Sequence, residues 1–542
     1  MPPHLGVAQE VNLQKLIASS LSALIAFGTL PSSAFGTSAS AETATPIKHV
    51  VVIFGENISF DHYFGTYPTA ANPRGEPKFV PKQGTPAVNG LTDALLYNNP
   101  NLLNTVGNGT GAMNPFRLDR TQAATADQDH NYTPEQEALH FGLMDSFPEY
   151  TGTAGAPPVG ALTKGLVMGY YDGNTVTAMW NYAQHYAMND NSFDTNFGPS
   201  TPGAINLVSG QTNGVTDQMN ASADVVEDGG TGYTLVSDAD PVGDICSTTT
   251  GAVVQFTGNN IGTMLSAAGI TWGFFQGGFD LTLTNANGST GCNRSTTSAV
   301  TGTLKADYIP HHEPFQYYTT TANPAHVRPN SVATIGVQGD PANHQYDTND
   351  FFAAVKAGHM PAVSFLKAPG YQDAHAGYSD PLDEQAFVVS VVNFLMSTKE
   401  WESTAIIINY DDSDGWYDHQ MPTIVNQSST ASDALSGASQ CGTGTDSALP
   451  GASGVAHAQG RCGYGPRLPY LVISPYAKEN YVSHVMTDQT STIRFIEDNW
   501  LGGDRIGDGS FDILAGRIND MFDFSHPQSG KLELNEATGE PK

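Results

Sequence analysis

Two observations predict an α/β fold, a three-layer α/β/α sandwich around a mostly parallel central sheet. The first is a set of apolar runs that are continuous rather than alternating: "HVVVIFG" at 49–55, "ITWGFFQGG" at 270–278, "PAVSFLKAP" at 361–369, "TAIIINYDD" at 404–412 and "LPYLVISP" at 468–475. Strands of that composition are covered on both faces, as in a parallel sheet flanked by helices. The second is the helical stretches between them. "LDEQAFVVSVVNFLMSTKE" at 382–400 reads as one helix, and "TSTIRFIEDNWL" at 490–501 as another, with Ile493, Ile496 and Trp500 near helical spacing behind a Thr/Ser start. Strand and helix alternate along the chain, the pattern of the α/β class.

The segments between these elements are rich in Gly, Ser, Thr and Asn, notably 210–260, 280–303 and 426–461. Gly (57) and Pro (33) together stay below the share of a disordered chain, so these insertions are expected to be ordered loops over a core. No repeat and no break in composition marks a second domain. The expectation is a signal peptide over 1–41 followed by one catalytic domain over 42–542.

The charge balance narrows the class. Lys plus Arg number 22 against 53 Asp plus Glu, a formal net charge of −31, which disfavours nucleic acid as a partner. Only 14% of residues are charged, against roughly 25% in an average globular chain. That composition suits an exported protein. Lys15 precedes "LIASSLSALIAFGTL", an apolar run of signal-peptide length, and Ala39-Ser40-Ala41 supplies the small-x-small pattern for cleavage before Glu42. No later segment reaches about 18 uninterrupted apolar residues, so no stable membrane span is expected, and the location is periplasmic or extracellular. Cys246, Cys292, Cys441 and Cys462 allow three disulfide pairings, of which chain order favours Cys246–Cys292 and Cys441–Cys462.

The chemistry gathers at strand ends. The run His49–Gly55 leads directly into Glu56 and Asn57, and Ala405–Tyr410 into Asp411 and Asp412. In an open α/β sheet ligands bind at the carboxyl edge, and two strands ending in Glu-Asn and Asp-Asp would bring four hard oxygen donors together. Such a set suits Ca, Mg or Mn better than a thiolate-seeking metal. Alone, Asp411-Asp412-Ser413-Asp414-Gly415 also reads as an acidic turn, and it fails the spacing of an EF-hand loop. The third element is "NFGPSTPGAINLVSGQT" at 196–212, where Pro202 suits the first turn of a helix and Ser200 lies at or just before its N-cap. A serine there either caps the helix or places a hydroxyl where free N–H groups and the positive dipole end favour an alkoxide and a phosphate. His130, His311, His312 and His375 lie in polar contexts and are the donors a phosphate site would need in a chain so poor in Lys and Arg.

Five segments in order, "IKHVVVIFGENISFDHYFGTYP", "GPSTPG", "HHEPFQYY", "HAGYSDPLDEQ" and "INYDDSDGWYDH", resemble the bacterial phospholipase C and acid phosphatase family of phosphoesterases, whose fold is similar to that of alkaline phosphatases. The resemblance covers roughly residues 46–525. It implies one divalent metal held by oxygen from Glu56, Asn57, Asp411, Asp412 and Ser200, with Ser200 as the nucleophile and His130, His311, His312 and His375 lining the phosphate pocket. One departure is that "STPG" stands where other members continue Pro-Asn-Arg, which removes an arginine expected to contact substrate. No C-terminal β-domains of the kind some long phospholipases C carry are seen before residue 542, an expectation that leans toward the phosphatase-like members.

The expected activity is phosphoryl transfer to Ser200 from a phosphomonoester under mildly acidic conditions, with His311, His312 and His375 as candidates to protonate the leaving alcohol. A phospholipase C acting on phosphatidylcholine-type diesters is the alternative. A secreted binding protein with the same acids around a structural ion is the non-enzyme alternative. A sulfatase is disfavoured because "STPGA" lacks the arginine of a Cys/Ser-x-Pro-x-Arg maturation motif.

Overall fold

The computed structural model describes residues 42–152, 163–443 and 448–542. The expected signal peptide, 1–41, lies outside the described residues; residues 42–542 form one compact unit.

An eight-stranded sheet runs through that unit. Its strands in chain order are β1 (His49–Gly55), β2 (Ala187–Asn189), β3 (Trp272–Gln276), β4 (Gln345–Asp347), β5 (Val363–Lys367), β6 (Thr404–Tyr410), β7 (Tyr470–Ile473) and β8 (Tyr481–Ser483). Their spatial order is β4-β3-β5-β1-β6-β7-β2-β8, and among these strands β7 alone runs antiparallel to both neighbours. The central strands are buried along nearly their whole length, which is why their sequences read as continuous Val/Ile runs instead of alternating ones.

The helices used below are α1 (Phe60–Phe64), α2 (Tyr132–Leu139), α3 (Thr177–His185), α4 (Ser200–Ser209), α5 (Ile261–Ala267), α6 (Thr348–Lys356), α7 (Pro381–Met396) and α8 (Thr490–Trp500). They lie on both sides of the sheet, as the side chains of single strands demonstrate. Tyr410 at the end of β6 donates its hydroxyl to Glu384 of α7 at 2.6 Å. Tyr470, which continues the β6–β7 register opposite Asn409 and so points to the other face, lies with its hydroxyl 2.9 Å from Thr492 of α8. On β3, Trp272 meets Gly262 of α5 while Phe275, three residues on and therefore on the opposite face, packs edge-on to Phe351 of α6. The expected three-layer α/β/α sandwich is the architecture observed.

Local chemistry explains where the longest helix starts. Asp380 caps α7 by accepting from the N–H groups of Leu382 and Asp383, and Pro381 occupies the first turn. The insertion at 210–260, read from sequence as loop, instead carries strands within 213–256 that form a separate five-stranded sheet, with the 213–219 strand at its centre. Disulfides Cys246–Cys292 and Cys441–Cys462 join the loops, the pairing that chain order favours. Among the described residues no helix is long and apolar enough to cross a membrane.

Candidate active site

Three neighbouring parallel strands, β5, β1 and β6, end side by side. Phe54 pairs with Lys367 and Gly55 with Tyr410, so the register alone brings Glu56, Lys367 and Asp411 to one point on the carboxyl edge. Each is fully buried. The turn after β1 is made by Asn57, whose φ of 61° lies in the left-handed region that asparagine tolerates better than most residues. In that conformation its N–H donates to Asp411 Oδ1 at 2.9 Å and its side-chain amide to Asp414 Oδ1 at 3.2 Å. The turn and the site are therefore built by the same residues.

Helix α4 brings the hydroxyl. Ser200 is its first residue, with Pro199 in the cap position, so it sits one place inside the helix compared with the N-cap expected from sequence. The helix packs directly on the chain leaving β6: a Cβ added to Gly203 would stand 2.0 Å from the Asp411 carbonyl oxygen, an approach only glycine permits. That contact sets Ser200 Oγ 3.0 Å from Glu56 Oε2, 3.0 Å from Asp412 Oδ2 and 3.4 Å from Asn57 Oδ1.

A hydroxyl carries one proton and can donate to only one of those three oxygens. The Asn57 amide oxygen has no proton to give, so the remaining close approaches need a protonated carboxyl or a cation among them. The electrostatics agree. Burial, with the Asp411 charge added, pushes the Glu56 carboxyl well above its ordinary range against the opposing pull of Lys367. Burial also raises Asp412, with His130 opposing and Asp411 reinforcing. Asp411 ends below its ordinary range: burial works against this, but Lys367 and the N–H groups of Asn57 and Asp412 outweigh it. Four convergent oxygens from Ser200, Glu56, Asn57 and Asp412, short of protons and rich in negative charge, fit a hard divalent cation. Asp411 stands at the edge of this group, its Oδ2 3.4 Å from Lys367 Nζ and its Oδ1 occupied by the two N–H groups.

The histidines divide. His312 is buried with Nδ1 3.3 Å from Glu56 Oε1 and 3.8 Å from Asp373 Oδ2, while its Nε2 is buried without a hydrogen-bond partner. His130 lies against Asn57 and Asp414, with Nε2 3.3 Å from the Asn57 amide and Nδ1 3.3 Å from Asp414 Oδ1. His375 lies beyond it at a ring-centroid distance of 6.0 Å, and burial pushes its pKa down to about 4. Asp127, His130 and His375 present ligand atoms within 4.8 Å of one another, an acidic/imidazole group beside the oxygen cluster. His311 packs edge-on against His312 at a ring-centroid distance of 4.6 Å, is partly exposed and faces Asp240 of the inserted sheet at 3.4 Å.

Four supporting residues escaped the sequence reading. Lys367 is ion-paired to Glu56 Oε1, and it ends a strand as Glu56 and Asp411 nearly do, so applying the strand-end rule to "PAVSFLKAP" would have found it. Asp373, pushed up to about 7 by burial against the charge of Lys367, sits between His312 and the Tyr378 hydroxyl. Asp414 holds Asn57 and His130. Glu135 of α2 accepts from Ser413 Oγ at 2.6 Å and from Gly198 N–H at 3.0 Å, tying the loop before Ser200 to the loop after Asp412. Burial raises its pKa to about 7. Nothing local in the sequence singles out Asp373 or Glu135, and Asp414 shows there only as part of an acidic turn.

This arrangement can hold a divalent metal and present a hydroxyl beside it, flanked by imidazoles. The sequence profile of the Phosphoesterase family matches residues 47–501. Phospholipase C A of Mycobacterium tuberculosis is 24% identical over 512 residues, covering 91% of this chain and 81% of its own length. Non-hemolytic phospholipase C of Pseudomonas aeruginosa is 24% identical over 509 residues, covering 90% of this chain and 59% of its own. The solved structure of a murine ectonucleotide pyrophosphatase/phosphodiesterase is 11% identical at a TM-score of 0.30, covering 64% of this chain and 95% of that one. With the family profile spanning most of its length, this chain belongs to the Phosphoesterase family and is a hydrolase of phosphoester bonds.

Proposed function

We propose that the chain is an exported, metal-dependent phosphoric ester hydrolase that prefers phosphomonoesters and works through a phosphoserine at Ser200. The observation that carries the reading is the position of Ser200 Oγ, 3.0–3.4 Å from oxygens of Glu56, Asn57 and Asp412 at the first turn of α4. Glu56, Asn57, Asp412 and, from the edge, Asp411 would hold the metal. When bound, it would lower the pKa of the Ser200 hydroxyl and offset the negative charge of the transferring phosphoryl group.

The chain's own residues do the rest. Ser200 Oγ gives up its proton to solvent and, as an alkoxide, forms a bond to phosphorus as the bond to the leaving alkoxide breaks, while the N-terminus of α4 faces the equatorial oxygens. The alkoxide takes a proton from an imidazolium of the pocket: against burial, the carboxylates of Asp412, Asp414 and Asp127 hold His130 well above the ordinary imidazole range, so it carries that proton, whereas burial pushes His312 and His375 down. Water, deprotonated by the same imidazole as general base, then adds to phosphorus as the bond to Ser200 Oγ breaks; phosphate leaves, the imidazole again carries its proton and Ser200 Oγ is released for the next turnover. Lys367 and Asp414 orient Glu56 and Asn57 throughout.

Similarity to phospholipases C favours a second reading, phospholipase C activity, with phosphatidylcholine-type diesters as the substrates to test. Turnover of p-nitrophenyl phosphate against phosphatidylcholine vesicles by purified protein separates the two. Faster turnover of the monoester supports the first reading, and turnover of the phospholipid alone supports the second. Export is supported by the two disulfides and by the sequence pattern over 1–41.

A further inference from the structure

The strands Ser295–Thr297 and Leu304–Ala306 form a hairpin outside the central sheet. Three side chains fasten it to the segment that carries Asp373 and His375. Ser298 Oγ donates to Asp383 Oδ2 at 2.5 Å, Thr301 Oγ1 to the Tyr378 carbonyl at 3.2 Å and Thr303 Oγ1 to the Gly377 carbonyl at 3.3 Å. Half-buried Lys305 projects from this hairpin. Its stem lies over Gly370, where an added Cβ would come within 3.0 Å of Lys305 Cγ. Its ammonium rests 3.6 Å above the centroid of the Tyr378 ring. That ring in turn stacks on His375 at 4.3 Å, and its hydroxyl donates to Asp373 Oδ2 at 3.2 Å.

What distinguishes Lys305 is that its charge is uncommitted. Among the described residues its amine makes no hydrogen bond and no ion pair; burial lowers its pKa, and Asp373, Glu56, Asp127 and Asp238, all at or beside the site, oppose that shift. Lys367, the other cation at this edge, is fully engaged by Glu56 and Asp411. No arginine follows Ser200 in "STPGA". An ammonium held only by an aromatic face can turn to an incoming anion without breaking an ion pair, because the cation–π contact is the weaker hold.

The geometry points to Lys305 as the residue that meets the second negative charge of a phosphomonoester, and so sets preference for monoesters over diesters. This rests on the phosphoester-hydrolysis reading above. A monoester is a dianion above its second pKa of about 6 and presents an oxygen that a diester has esterified. The charge of Lys305 therefore acts on one substrate class and leaves the other nearly untouched. Lys305 is a specificity-determining residue and has no part in bond making.

The test compares Lys305→Met, Lys305→Arg and the intact protein on p-nitrophenyl phosphate and bis(p-nitrophenyl) phosphate, with inhibition by inorganic phosphate and thermal melting alongside. Lys305→Met should lower kcat/KM for the monoester by about 10- to 100-fold and weaken phosphate inhibition in parallel, the size of one lost charge-assisted hydrogen bond, while diester turnover stays within about threefold. Lys305→Arg should recover most of the loss. Equal losses on both substrates, or no change in either the substrate ratio or phosphate inhibition, overturn the assignment to Lys305 and leave the hydrolase reading standing. Absence of turnover by the intact protein on both esters removes the underlying reading instead.

Discussion

Gly203→Ala is a one-methyl change whose outcome depends on how α4 meets β6. On helix propensity alone alanine would stabilise this position by about 1 kcal/mol. The added Cβ, however, would stand 2.0 Å from the Asp411 carbonyl oxygen, 2.6 Å from its carbon and 2.9 Å from its Cα, all backbone atoms fixed by the sheet. The helix must recede by more than an ångström to restore ordinary contact. Overpacking of this kind costs about 1–3 kcal/mol, which offsets the propensity gain. The larger effect falls on activity. Ser200 lies one turn away in the same helix, and a shift of that size moves its Oγ out of the 3.0 Å contacts with Glu56 and Asp412. A misplacement of about 1 Å costs on the order of 10²-fold in rate. The assay is kcat/KM on p-nitrophenyl phosphate, with circular dichroism to establish that the variant is folded. Turnover within twofold of the parent would refute the reasoning that Gly203 seats the nucleophile.

Three further outcomes are expected. Lys367→Met removes the cation between Glu56 and Asp411, both fully buried, and should cost about 3–5 kcal/mol in a guanidinium melt under chelation; a change below about 1 kcal/mol would show that the ion pair is not what keeps these acids buried. His419→Gln tests a network away from the site. Asp61 holds the His419 pKa above its ordinary value against burial, so its contribution is fully present below about pH 6.5 and fades as pH rises through the folded value. The variant should lose about 1 kcal/mol near pH 6 and match the parent more closely near pH 9, and a pH-independent difference would contradict this. Chelation with EDTA should abolish ester hydrolysis, with recovery on adding Ca, Mg or Mn, whereas full activity in the chelator would argue against the oxygen cluster as a metal site.

Much of this was legible in the chain because the determinants are local. Apolar runs of four to seven residues ending in Glu-Asn or Asp-Asp identify both a buried strand and its carboxyl edge, and a Ser two residues before a Pro marks a helix start. The residues that sequence misses act across long separations. Asn57 and Asp411 are 354 residues apart, and Glu135 and Ser413 are 278 apart, distances at which no periodicity carries information. Strands of three residues, such as 187–189 and 345–347, are too short to show a pattern, and they exist because neighbours in the sheet pair with them. The inserted sheet was hidden for a related reason: "NGVTDQM" is mostly polar, and its strand order depends on partners up to about forty residues away. His311 shares a motif with His312 and its ring packs edge-on against it at 4.6 Å, yet the two meet different acids, Asp240 and Glu56, a division that spacing does not reveal.

The central claim is that Ser200 itself carries the phosphoryl group. Rapid acid quench of the enzyme during turnover of p-nitrophenyl phosphate, followed by peptide mass spectrometry, reads this directly. A phosphoryl adduct on the peptide containing Ser200, absent from Ser200→Ala together with turnover, is the predicted result. Hydrolysis at the parental rate by Ser200→Ala, or turnover without any adduct at Ser200, would contradict it.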